Sequence, residues 1–112
     1  MAYDEQLAGR IRELLDGEID VTEQRMFGGL AFLVRGNMAV AASGQGGVLV
    51  RVDPATSDSL LATTTARPME MRGREMRGWL RVDESGVGTE DQLAVWVTRG
   101  TTYARTLPAK KR

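Results

Sequence analysis

Leu7, Ile11, Leu14 and Leu15 recur at three- and four-residue spacing, with Ala8 beside them. That period predicts an amphipathic helix over residues 4–16, with Arg10, Arg12 and Glu13 facing outward. Asp4 is placed to cap its start and Gly17 to close its end. From Leu30 the period falls to two. Leu30, Phe32 and Val34 alternate with Ala31, Leu33 and Arg35, and after Gly36-Asn37 the alternation resumes with Met38, Val40 and Ala42. Gly-Asn between apolar runs is a hairpin signal, because both residues tolerate positive φ. Ser43 to Gly47 reads as a second turn, and Val48, Val50 and Val52 as a third strand. Residues 22–52 are therefore expected to form a three-stranded meander.

Asp53-Pro54 stops the sheet and opens a short helix through Leu60-Leu61, since Asp caps well and Pro suits the first helical position. The threonines at 63–65 and Arg67-Pro68 end it. A second hairpin follows. Met69 and Met71 alternate with Glu70 and Arg72, Gly73-Arg74 turns, and Met76, Gly78, Leu80 and Val82 alternate with Arg77, Trp79 and Arg81. Thr89 with Gln92 three residues on is a capping box. Leu93, Trp96, Val97, Gly100, Tyr103 and Ala104 then trace a helical face that Pro108 terminates. The order is α-β-β-β-α-β-β-α. It predicts an α+β, two-layer fold: a mainly antiparallel five-stranded sheet with helices on one face. One domain is expected over residues 1–107, with a basic tail at 108–112. The expected core is Ile11, Leu14, Phe27, Phe32, Val50, Leu80 and Trp96.

Composition narrows the chemistry. The 112 residues contain no cysteine and no histidine, so disulfides, thiolates, cysteine-bound metals and the commonest general base are excluded. No metal site, no cofactor and no enzymatic activity are expected. The start lacks the basic and apolar segments of a signal peptide, and no apolar run approaches a membrane span, so a cytoplasmic location away from membranes is expected. The net charge is zero but unevenly spread. Residues 1–24 carry seven acids against two arginines, whereas residues 25–82 carry eight arginines against four acids. The plain reading of this asymmetry is an acidic first helix near an arginine-bearing sheet.

The stretch Arg25-Met26-Phe27-Gly28-Gly29 resembles the opening motif of the N-terminal domain of the TfoX/Sxy family. Further similarity lies in Ala31–Val34, Gly36-Asn37-Met38, Arg51-Val52-Asp53, Met69-Glu70-Met71-Arg72-Gly73, Gly78-Trp79-Leu80-Arg81-Val82, and the last helix with Leu93 and Trp96. Together these cover about residues 10–105. The resemblance implies the same two-layer fold, also seen in secretion-chaperone-like proteins, and a stand-alone single-domain member of a family of regulators. It supplies no catalytic residues.

Glycine clusters carry little chemistry. Met26-Phe27-Gly28-Gly29 lacks the Gly-Lys-Ser/Thr of a phosphate loop, and a core Phe27 beside a glycine bulge or close backbone approach explains it. Gly44, Gly46 and Gly47 precede a strand rather than opening a helix, as a dinucleotide fingerprint would. The methionines of the second hairpin read as core filling beneath the helices.

The sharper feature is the other sheet face. If Val48, Val50, Val52, Met76, Leu80 and Val82 meet the helices, then Leu49, Arg51, Arg72, Arg77, Trp79 and Arg81 face away. Leu33, Ala39 and Ala41 join them if the first hairpin keeps its register. Trp and Arg are enriched at binding hot spots, and a half-solvated sheet with Arg stacked on Trp is the alternative. The candidate binding residues are thus Arg51, Arg72, Arg77, Trp79 and Arg81. Three functions compete: a protein-interaction module whose partner is another protein or a second copy of the chain; a nucleic-acid binder, against which the zero net charge and pI near 6.3 stand; and, last, a small-ligand protein or enzyme.

Overall fold

The computed structural model describes residues 3–26 and 28–109. Its elements run α1 (Glu5–Leu14), β1 (Val21–Met26), β2 (Gly29–Val34), β3 (Asn37–Ala42), β4 (Val48–Arg51), α2 (Pro54–Thr63), β5 (Arg67–Met71), β6 (Arg74–Val82) and α3 (Glu90–Arg105). A 3₁₀ turn at Glu84–Gly86 precedes α3. The caps follow from sequence. Asp4 accepts from the Gln6 and Leu7 amides, Asp53 accepts from Ala55, and Thr89 and Gln92 form the reciprocal box.

The six strands lie in the order β1-β2-β3-β4-β6-β5, and every neighbouring pair is antiparallel. The fold class is the expected one, with one strand more than expected. The extra strand is β1. Four consecutive polar residues, Thr22 to Arg25, give it no alternation, because it is an edge strand with most of its side chains in water.

Both predicted hairpin turns sit one residue earlier than the Gly-Asn and Gly-Arg pairs suggested. Val34 pairs with Asn37 and Met71 with Arg74, so the loops are Arg35-Gly36 and Arg72-Gly73. All four loop residues have positive φ, 54° and 83° in the first and 55° and 79° in the second. That is the two-residue turn whose twist matches the strands. Arginine occupies the left-handed position in both.

Two irregularities then reassign faces. In β2–β3, Phe32 pairs with Val40 but Leu33 pairs with Met38, so Ala39 is an extra residue. The bulge turns Ala39 toward α3, where it packs with Ala104, and sends Met38 to the opposite face. The first hairpin therefore does not keep a simple register. In β5–β6, Pro68 pairs with Leu80 but Glu70 pairs with Glu75, which leaves residues 76–79 against Met69 alone. Gly78 sits there with φ of 87°. This larger bulge exposes Met76 instead of placing it under the helices.

The main core lies between the helices and one sheet face. Ile11, Phe32, Val50, Leu80 and Trp96 are buried as expected. Leu14 is half-buried, and Leu15 takes the buried position. Phe27 and the Met71 side chain lie outside the described residues. The opposite face holds a second apolar group: Ala31, Leu33, Met38, Ala41, Leu49 and Met69. These are all strand residues, so Met69 fills a core away from the helices rather than beneath them. Among the described residues no helix is long and apolar enough to cross a membrane.

Candidate functional site

Beside that second apolar group, β4 and β6 bring three of the five candidate residues together. Arg51 pairs with Trp79 and Leu49 with Arg81, so all four side chains emerge on the face away from the helices. The Arg51 guanidinium carbon stands 5.1 Å from the centroid of the Trp79 ring. It is also 5.7 Å from the ring of Tyr103, which reaches from α3 at the end of the sheet. Arg51 thus lies within cation–π range of two aromatic rings. Arg81 donates to the Ser43 hydroxyl at 3.1 Å. Arg51, Trp79 and Arg81 are each half-buried.

Neither Arg51 nor Arg81 forms an ion pair among the described residues. The acidic start of the chain spends its charge elsewhere. Glu23 pairs with Arg12 at 2.6 Å, Glu18 with Arg105 at 2.7 Å and Asp20 with Arg35 at 3.5 Å. In the first of these, the hydrogen bond from Arg12 holds the Glu23 carboxyl below its ordinary pKa.

Arg72 and Arg77 leave the cluster. Arg72 is exposed at the tip of the β5–β6 turn. Arg77 lies in the β6 bulge and turns toward α2, where it donates to the Pro54 carbonyl at 3.3 Å and approaches the Asp58 carboxylate at 3.9 Å. Simple alternation placed it beside Trp79, and the three extra residues of the bulge break that parity. Two participants were missed as members of the group. Ser43 was read only as a turn residue. Tyr103 was read on the helical face. Nothing in the local pattern of either residue signals a contact made across the end of the sheet.

The Arg25-Met26-Phe27-Gly28-Gly29 motif is architectural where it is described. Met26 pairs with Gly29, and Gly28 takes φ of 74° in the turn between them. A methyl at Gly29 would strike the Ala42 carbonyl. The glycine pair is thus the close backbone approach expected from sequence, and Arg25 is exposed.

A family model of the TfoX N-terminal domain matches residues 13–104. The chain belongs to the TfoX N-terminal domain family. Membership supports a regulatory type of domain. The match spans every strand and the length of α3 to Ala104, so it includes both the glycine turn and the Arg51–Trp79–Arg81 face. No curated protein and no solved structure matches the chain.

Proposed function

We propose that this TfoX N-terminal domain is a non-enzymatic regulatory module that works through protein–protein interaction at the face formed by Arg51, Trp79 and Arg81. The observation that carries the reading is the state of the two arginines. Arg51 is positioned by two rings, Arg81 by one hydroxyl, and neither has a carboxylate partner among the described residues. A guanidinium held in place loses little freedom on binding, and its fork matches a carboxylate. Trp79 beside them adds apolar contact area of the kind that dominates interface energies. The partner is therefore an acid-bearing surface, on another protein or on a second copy of the chain. The absence of His and Cys supports the non-enzymatic part of the reading, which calls for neither metal nor cofactor, and a cytoplasmic setting accords with it.

Exposed Arg72 and Arg74 on the β5–β6 hairpin favour a second reading, in which the domain holds nucleic-acid phosphates. Arg81→Glu and Arg51→Glu, compared with Arg77→Glu as an outlying control, separate the readings. The interaction reading predicts that the first two lower oligomeric mass in light scattering or abolish capture of a purified partner, while the control does not. Equal effects of all three, together with a steep fall of binding with salt, would instead support the nucleic-acid reading.

A further inference from the structure

The helical layer does not close between α2 and α3. α3 packs Leu93, Trp96, Val97, Gly100 and Ala104 against the sheet, which turns a different flank toward α2. A cleft of about 420 Å³ remains there, with Val52 and Leu60 as its apolar surface and Thr98, Arg99, Thr102 and Tyr103 along the α3 side. Its size falls within the roughly 300–1,000 Å³ of small-molecule sites, which are mostly apolar with a few placed polar groups.

Arg99 is the placed group. Its guanidinium carbon stands 4.5 Å from the centroid of the Trp96 ring, and that ring is itself buried in the core. The stack anchors the cation, and Arg99 has no carboxylate partner among the described residues. The side-chain hydroxyls of Thr98, Thr102 and Tyr103 make no hydrogen bond among the described residues and are available beside it. Asp53 also lines the cleft and caps α2 through the Ala55 amide. Tyr103 lies beside Arg51, so the end of α3 faces the start of α2, where Asp53 stands, and Asp53 and Arg99 form no ion pair. A fixed negative charge at that end disfavours a second anionic group on a ligand.

We propose that this cleft binds a small amphipathic monocarboxylate, with its apolar body on Val52 and Leu60 and its carboxylate on the Arg99 guanidinium. The site adjoins the Arg51–Trp79–Arg81 face through Tyr103, but its anion-holding group, Arg99, is a different one, and the proposal stands or falls without that face.

Titration of ¹⁵N-labelled protein with sodium octanoate, and in parallel with 1-octanol, tests the assignment. Octanoate should saturably shift the Trp96 indole and the amides of Leu60, Thr98 and Thr102 while the Trp79 indole stays in place. Octanol should bind about ten-fold or more weakly, and Arg99→Gln should weaken octanoate by about ten-fold or more. Thr102→Trp, at an exposed position, should fill the cleft and abolish the shifts. The proposal is overturned by no saturable shift at millimolar octanoate, by shifts confined to other surfaces, or by equal affinity for octanol. Should Arg99→Gln not fold, undiminished binding in folded Thr102→Trp overturns it equally.

Discussion

A methyl group at Gly100 would meet the carbonyl of Ala39, so α3 rests on the sheet at backbone distance there. The contact depends on the bulge that turns Ala39 toward the helix. Gly100→Ala must push the helix off the strand, and overpacking of this kind costs about 1–3 kcal/mol. Urea melts should show that loss, although the substitution raises intrinsic helix propensity. A stabilised variant would contradict the packing described. Phe32 makes the complementary point. It is 1% exposed in the main core, and Phe32→Ala should cost about 3–5 kcal/mol in the same melts. A loss well under 1 kcal/mol would mean that it does not face the helices. Phe32 was legible from alternation alone, because a buried aromatic in a two-residue period has one face to occupy. The role of Gly100 was not, because closeness of approach is a property of two elements and leaves no trace in either segment.

Among the elements, those with a strong local period or cap were readable: α1, α2, α3 and the strands rich in valine. β1 was not, because an edge strand with Thr22 to Arg25 in water carries neither period nor apolar run. Its tie to the rest of the fold includes an ion pair. Arg12 on α1 meets Glu23 on β1 with two hydrogen bonds, at 2.6 and 2.8 Å. The bond lowers the Glu23 pKa in the folded state. Its contribution is therefore present above the unfolded value, about 4.3, and is lost as pH falls through the lower folded value. The stability advantage of the parent over Glu23→Gln should shrink as the pH of denaturant melts is lowered from neutral to below 4. An advantage that grows on acidification would refute the pairing. The bulges were the other illegible feature. Two-residue periodicity assumes one residue per pairing step, so an inserted Ala39 or the loop of residues 76–79 reverses every face assignment on its far side. That is why Met38, Ala39, Met76 and Arg77 were placed on the wrong sides, while Arg51, Trp79 and Arg81, nearer the β4–β6 pairing, were placed correctly.

At the scale of the molecule, charge and sidedness divide the work. Arg12, Arg35 and Arg105 neutralise acids of the first 24 residues within the fold. The acids that pair, Glu18, Asp20 and Glu23, follow α1, and two of their partners, Arg12 and Arg105, lie on helices, so the pairing is not the expected one of an acidic first helix with an arginine-bearing sheet. It leaves Arg51 and Arg81 outside the internal accounting, on the face where the second apolar group lies and where Trp79 is half-buried. On this face aromatic area coincides with cations that have no carboxylate partner among the described residues, which is what supports the proposed interaction there. The two tryptophans report on the two sides of the sheet separately, since Trp79 belongs to this face and Trp96 to the helix-covered core. The most direct measurement is therefore a ¹⁵N titration with an oligoglutamate peptide that follows both indole N–H signals. Binding at the proposed face predicts a saturable shift of the Trp79 indole, an unmoved Trp96 indole, and loss of the shift in Arg81→Glu. An unmoved Trp79 indole during saturable binding, or a shift that survives intact in Arg81→Glu and Arg51→Glu, would contradict the account.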